Sequence, residues 1–210
     1  IYRGLVVPVL LGPHDEVVAG LREVGGDPER CRIFDPRDRT RVEAALEHLR
    51  SRREGRDDGE DRLAAWARDP LMQAAHLVAS SEVDGALAGS VRTTADVVRA
   101  GLIGIGLDAG VQTVSSSFYM VFGAGHASGP SVLTFTDAGV VPEPTSEELA
   151  SIAVAAARAR TRIVGDEPRV GFLSYSTKGS AEGESVTRMR ERSEEHTSEL
   201  QSRPHISYAV

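Results

Sequence analysis

Apolar and polar positions alternate in short blocks along this chain, and the blocks change period from two to three or four and back. The opening run L-V-V-P-V-L-L (5–11) predicts a strand, and Gly12-Pro13 breaks it. The segment D-E-V-V-A-G-L-R-E-V (15–24) then takes helical spacing with acids in its first turn, and Gly25-Gly26 closes it. A short strand, C-R-I-F-D (31–35), stops at Pro36. R-T-R-V-E-A-A-L-E-H-L-R-S-R-R (39–53) resumes a helix with Val42, Leu46 and Leu49 on one face. The run 54–61 is a charged, solvated loop, followed by helical segments at 62–68 and, after Pro70, at 71–81. Trp66, Met72 and His76 read as packing residues.

The second half continues the alternation. D-G-A-L-A-G (84–89) predicts a compact strand, followed by a polar turn and a helix from Thr94 to Ile105. V-Q-T-V-S-S-S-F-Y-M-V-F (111–122) and S-V-L-T-F-T-D-A (131–138) are β-rich and are separated by a glycine-rich loop. The clearest helix is 144–162, where Thr145 and Glu148 form a candidate capping box and arginines crowd the C-terminal end. R-V-G-F-L-S-Y (169–175) predicts a last strand, before a polar loop and a helix start. This alternation indicates an α/β protein.

Composition narrows the class of protein. A chain of 210 residues with 40% apolar and 26% charged residues can bury a core, and a net charge of −7 gives no general basic face for nucleic acid or an acidic membrane. No apolar run reaches the roughly eighteen residues of a membrane span, and the start lacks the layout of a signal peptide, so a cytoplasmic protein is expected. The single cysteine, Cys31, forms neither an intramolecular disulfide nor a cysteine-built zinc site. Among 24 cationic side chains only Lys178 is a lysine, a hint that a compact ammonium is wanted there.

The ends have their own signals. Residue 1 is not methionine and lies close to a strand-like run, as if a preceding element were missing. R-S-E-E-H-T-S-E-L-Q-S (192–202) and I-S-Y-A-V (206–210) read as a translated sequencing-library adapter on either side of an index. Residues 192–210 are therefore expected to be a non-native tail, and His196 and His205 are given no role.

Two segments could carry chemistry. In A-G-S-V-R-T-T-A-D-V-V-R (88–99), Thr93 or Thr94 would cap a helix whose free N–H groups face the turn, with Arg92 and Arg99 close by. Hydroxyls, helix N–H groups and a guanidinium suit a phosphate dianion, although a plain capped helix with surface arginines has the same letters. The second segment is S-Y-S-T-K-G-S-A (174–181), a polar rim holding the lone lysine. Its order is not that of a Walker A loop, no dinucleotide G-x-G-x-x-G opens a helix, and no G-x-S-x-G elbow occurs. Histidines 14, 48, 76 and 126 lack metal-ligand spacing, so no metal is expected.

At these motifs the chain resembles the phosphate acetyltransferase family of CoA-dependent phosphate acyltransferases. The likeness covers 4–191 and rests on P-V-L-L-G (8–12), the L-R at 49–50, 84–99, G-V-Q-T-V-S-S-S-F (110–118), D-A-G-V-V-P-E-P-T-S-E-E-L-A (137–150) and L-S-Y-S-T-K-G-S-A (173–181). Arg92 stands where the family commonly has His, and Ala100 where it commonly has Pro. The resemblance implies reversible acetyl transfer between phosphate and coenzyme A on an isocitrate dehydrogenase-like fold of two α/β domains around a cleft, here 1–109 and part of a second at 110–191.

It further implies that Arg99, Thr93 and Thr94 hold the phosphoryl group, with Arg50 as a second cation. Ser174, Ser176, Thr177, Lys178, Gly179 and Ser180 would line the cleft. No tightly bound cofactor is implied: CoA or acetyl-CoA, acetyl phosphate and phosphate are substrates, and the longer parent would be a homodimer. The alternatives are a phosphate butyryltransferase or a non-catalytic acetyl-CoA-sensing domain of the same fold. The family's C-terminal S-R-G segment has no counterpart in this sequence, so the piece by itself is expected to be inactive.

Overall fold

A computed structural model describes residues 5–127, 129, 131–173 and 187. The chain divides between Gly106 and Leu107 into two compact units.

In the first unit, β1 (Val9–Leu11) and β2 (Arg32–Phe34) pair in parallel, with Val9 opposite Arg32 and Leu11 opposite Phe34. Helix α1 (His14–Glu23) supplies the crossover that a parallel pair requires. The expected strand at 5–11 shrinks to its last three residues. Pro8 still accepts from Arg32 N–H at 3.0 Å but has no N–H of its own, and Leu5, Val6 and Val7 lie exposed before it.

Four helices follow: α2 (Arg39–Arg52), α3 (Glu60–Ala67), α4 (Pro70–Ala79) and α5 (Thr94–Gly104). Asp38, Asp69 and Thr93 cap α2, α4 and α5 with side-chain acceptors, which fixes three of the four starts. The core is built where they meet, from Ala45, Leu49, Leu63, Ala67, Met72 and Ala100, with Val42, Leu46, Trp66, Leu71 and Ile103 packed around them. Small residues let α4 and α5 approach closely: a Cβ on Gly104 would lie 2.6 Å from that of Ala75. Gln73, 3% exposed, donates from Nε2 to the carbonyls of Pro36 (2.8 Å) and Ala67 (2.9 Å), tying α4 to the turn after β2 and to the end of α3. His48 joins α2 to the end of α5, its Nε2 lying 2.6 Å from the Gly104 carbonyl and its ring 4.8 Å from that of His76.

In the second unit, β3 (Ser117–Phe122) and β4 (Ser131–Thr136) form an antiparallel hairpin with Ser117 opposite Thr136. Helix α6 (Ser146–Ile163) buries Ala150, Ile152, Ala153 and Ala156. Its capping box forms as the sequence predicts: Thr145 Oγ1 accepts from Glu148 N–H at 3.2 Å and Glu148 Oε2 accepts from Thr145 N–H at 2.8 Å. Arg160 Nη1 reaches the Thr134 hydroxyl at 3.0 Å and fastens the helix to the hairpin.

Two expected strands do not form. Residues 84–89 are irregular and exposed, because Gly85, Ala86, Ala88 and Gly89 offer little side chain to a pleated surface and no strand pairs with them among the described residues. Residues 169–173 are likewise irregular, and 174–175 lie outside the described residues. The β-rich stretch from 111 begins as strand only at Ser117. The result is mixed α/β architecture with two two-stranded sheets among the described residues.

Candidate functional site

The turn leading into α5 gathers the first set of predicted residues. Gly89 has φ +118°, a backbone that favours glycine, and the chain then runs exposed through Ser90 and Val91 to Arg92. Arg92 Nη2 donates to both oxygens of Asp69, at 3.1 and 3.0 Å, while Asp69 Oδ1 also accepts from Leu71 N–H as the cap of α4. One carboxylate therefore starts α4 and anchors the chain just ahead of α5.

Thr93 is the cap of α5, its Oγ1 accepting from Asp96 N–H at 3.2 Å. The same hydroxyl donates to Asp96 Oδ2 at 2.7 Å, and Asp96 Oδ1 accepts from Arg99 Nη1 at 3.2 Å. The Thr93 hydroxyl holds the Asp96 carboxyl below its ordinary value; burial opposes this, and the Thr93 backbone and the charges of Arg99 and Arg92 reinforce it. Thr94, exposed at the first helical position, has no side-chain partner among the described residues. The exposed Thr94 hydroxyl and the N-terminal N–H groups of a three-turn helix are groups that suit an oxyanion, and Arg99, five positions on, is paired with Asp96.

Arg50 lies on α2 and is engaged elsewhere, with Nη2 2.6 Å from Glu60 Oε2 and Nε within 3.2 Å of both Glu60 oxygens. This pairing raises the Arg50 pKa and lowers that of Glu60. Among the described residues Arg50 is thus bound to Glu60 and not to Thr93, Thr94 or Arg99. Ser174, Ser176, Thr177, Lys178, Gly179 and Ser180 lie outside the described residues, as does the 192–210 segment.

Two carboxylates matter more than sequence reading suggests. In the sequence Asp96 is only the D of T-x-x-D, a capping pattern, although its spacing to Arg99 is that of a helical ion pair. Asp137, after β4, accepts from Ser116 N–H (2.6 Å), the Ser116 hydroxyl (2.8 Å), and the N–H groups of Gly139 (3.3 Å), Val140 (2.8 Å) and Val141 (2.7 Å). Burial pushes its pKa up, but these donors outweigh burial and hold it far below the ordinary carboxylate range. With both oxygens occupied, Asp137 organises the 137–141 turn and is unsuited to be a proton acceptor.

Among the described residues no cluster of His, Cys, Asp or Glu could hold a metal ion, and no helix is long and apolar enough to cross a membrane.

Comparison with known proteins places this geometry in a family. Residues 1–203 match the family model described as phosphate acetyl/butaryl transferase. A phosphate acetyltransferase of Paracoccus denitrificans is 38% identical over 188 residues, 90% of this chain and 55% of the relative. One from Clostridium acetobutylicum is 33% identical over 190 residues, 90% of this chain and 57% of the relative. The chain thus spans a little over half the length of these curated relatives. Among solved structures, the EutD phosphotransacetylase from Staphylococcus aureus superposes with a TM-score of 0.76 at 27% identity, covering 94% of this chain and 57% of that one. A phosphotransacetylase from Streptococcus pyogenes superposes with a TM-score of 0.77 at 27% identity, covering 98% and 60%. With nearly its whole length matched, the chain belongs to the phosphate acetyl/butaryl transferase family.

Proposed function

We propose that this chain is part of an enzyme that moves an acetyl group reversibly between phosphate and coenzyme A. What supports the reading is the family match together with the start of α5, where a capped helix presents N–H groups beside the exposed Thr94 and carries Arg99, in a chain whose curated relatives are named phosphate acetyltransferases.

In the acetyl phosphate direction, the CoA sulfur attacks the acetyl carbon, a C–S bond forms, and the bond from that carbon to the bridging oxygen breaks. Phosphate departs with the electron pair of the broken bond, and the thiol's proton passes to the departing phosphate or to solvent. Phosphate is the group that gains charge, so preorganised donors around it lower the barrier. Arg99 and the α5 N-terminus fill that role, while Arg50, released from Glu60, adds a second cation to the same anion. Ser174, Ser176, Thr177, Lys178, Gly179 and Ser180, outside the described residues, are assigned to substrate binding on the resemblance alone.

The finer architecture follows the same reading: an isocitrate dehydrogenase-like arrangement, with a first domain at 1–109 and part of a second from 110. CoA is a substrate, no cofactor is held between turnovers, and the whole enzyme is a cytoplasmic homodimer. The family description covers butyryl as well as acetyl transfer, and the names of the relatives favour acetyl.

The test is a hydroxamate assay on the enzyme expressed from the uninterrupted gene. Acetyl-CoA forms from acetyl phosphate and CoA, and Arg99→Ala raises the KM for acetyl phosphate at least about tenfold, some 1.4 kcal/mol of binding, with the fold intact. Absence of turnover in the complete enzyme, or unchanged kinetics in the variant, overturns the reading.

A further inference from the structure

We infer that His76 is the proton-sensitive member of a junction tying α2 and α4 to the C-terminal end of α5. On taking up a proton its ring leaves the junction for the cavity beside it, toward the Glu82 carboxylate.

One half of the junction is fixed by its chemistry. His48 Nε2 lies 2.6 Å from the Gly104 carbonyl, and a carbonyl oxygen only accepts, so Nε2 carries a hydrogen whatever the charge of the ring. His76 packs against that ring with 4.8 Å between centroids and a tilt of 47°. Next to it α4 and α5 approach closely, with a Cβ on Gly104 only 2.6 Å from that of Ala75, so the helices leave the His76 ring little room to adjust in place.

The other half is incomplete. His76 Nδ1 is buried and has no hydrogen-bond partner. A neutral imidazole can leave Nδ1 as a bare lone pair, with its hydrogen on Nε2. An imidazolium carries hydrogens on both nitrogens, so Nδ1 becomes a buried donor with nothing to accept it. The charged and titratable groups around the ring among the described residues are His48, Arg41 and Asp38 from α2 and its cap, and Glu82 after α4. From α5 comes the Gly104 carbonyl, already taken by His48, and from β1 the apolar Leu11. Burial, His48 and Arg41 hold the His76 pKa below its ordinary value, and Glu82 opposes them.

The cavity supplies what the junction lacks. It has a volume of about 430 Å³, and His76, Asp38, Arg41 and Glu82 are among its walls. A ring swung into it gains space, water and a carboxylate, and therefore holds a proton more tightly than the closed junction does. The swung-out population grows as pH falls through the ordinary histidine range, by up to about tenfold for each pH unit below about 6.5. Its growth loosens the last turn of α4 from the end of α5, just ahead of the boundary between the two units.

Native-state hydrogen exchange on the 210-residue chain, read as protection factors between about pH 7.5 and 5, measures the opening, and imidazole NMR signals follow His76 itself. Protection should fall with the slope above at the Ser80 amide, which donates to the His76 carbonyl, and at the Ile105 amide, which donates to the Gly101 carbonyl. The amides of α3 keep theirs. His76→Phe retains a ring and removes the titration, so its protection is level across this range, and His76→Gln repeats the test with a smaller side chain. His14→Gln, at an exposed histidine on α1, keeps the wild-type slope. Glu82→Gln moves the onset to lower pH. Level protection in the wild type, or the wild-type slope in a folded His76→Phe or His76→Gln chain, overturns the inference. So does an equal loss across α3, which is opening of the whole unit. An unmoved onset in Glu82→Gln overturns the destination of the ring.

Discussion

Replacing Asp137 by alanine removes the acceptor for five donors at once, and its effect can be worked out from where those donors end up. Oδ1 serves the main-chain N–H and hydroxyl of Ser116, and Oδ2 serves the N–H groups of Gly139, Val140 and Val141. Gly139 is exposed and would turn to water, so its 3.3 Å contact contributes little. Ser116, Val140 and Val141 are half-buried and recover water incompletely. A hydrogen bond to a charged group contributes about 1.5–3 kcal/mol net, and bonds sharing one acceptor are not additive, so the expected loss is about 2–4 kcal/mol. Asp137→Asn does not rescue: with the new side-chain carbonyl on Ser116, the amide NH2 faces three N–H groups on the other side. Native-state hydrogen exchange checks the local effect, with the Ser116, Val140 and Val141 amides losing at least about thirtyfold of their protection, the equivalent of about 2 kcal/mol. Urea unfolding followed by far-UV circular dichroism gives the global figure. Unchanged exchange at Val140 and Val141 in a folded Asp137→Ala chain would refute the hub.

Leu49 is 1% exposed in the core that α2, α3, α4 and α5 share, and Leu49→Ala should cost about 3 kcal/mol of unfolding free energy through lost burial and a residual cavity, measured by urea denaturation through Trp66 fluorescence; a loss below about 1 kcal/mol would place the core elsewhere. The paired carboxylates set the pH dependence. The Arg37 side chain and backbone hold Asp35 at about 2, and Asp58, Asp96, Asp137 and Asp166 are all lowered. A group whose pKa is depressed by folding contributes stability that is complete above its unfolded value, near pH 4, and is lost as pH falls through its folded value. Burial lowers the His76 pKa, so the unfolded chain takes up that proton first and urea midpoints should begin to fall below about pH 6.5, then drop further between about 4 and 2 as the paired carboxylates protonate; a midpoint that rose on acidification would contradict the pairing.

The helices are legible in the sequence because their signals are local. Thr93 and Thr145 mark starts by the residue type that can accept from a free N–H, and the 3.6-residue spacing of Val42, Leu46 and Leu49 marks the buried face of α2. The strands are less legible because a strand exists only where another backbone pairs with it. D-G-A-L-A-G has a strand-like reading and no partner among the described residues, while Val9–Leu11 has the same kind of letters and finds β2. At the candidate site, Thr93, Thr94 and Arg99 are readable from one short motif. Asp137 is not, because its main partner, Ser116, lies twenty-one positions back and the pairing is set by how the hairpin closes. Asp69 is not singled out by the sequence; it caps α4, and its second task, holding Arg92, depends on α4 lying beside α5.

The three arginines considered for phosphate binding are already engaged: Arg50 by Glu60, Arg92 by Asp69 and Arg99 by Asp96. An acidic chain of net charge −7 can still bind an anion if these partners are weak competitors, and exposure decides that point. Exposed ion pairs contribute about 0–1 kcal/mol, because water screens them and two flexible side chains must be held. A phosphate dianion accepting from several donors together gains more than any one such pair loses. The three pairs then differ in kind. Glu60 holds Arg50 through both Nε and Nη2, so Arg50 must be released before it can serve a ligand. Asp69 holds Arg92 while capping another helix, so breaking that pair would disturb the start of α4. Asp96 holds a single nitrogen of Arg99, as Asp69 holds a single nitrogen of Arg92, so both of these cations keep donors for a phosphate beside their present partner, whereas Arg50 is engaged through two.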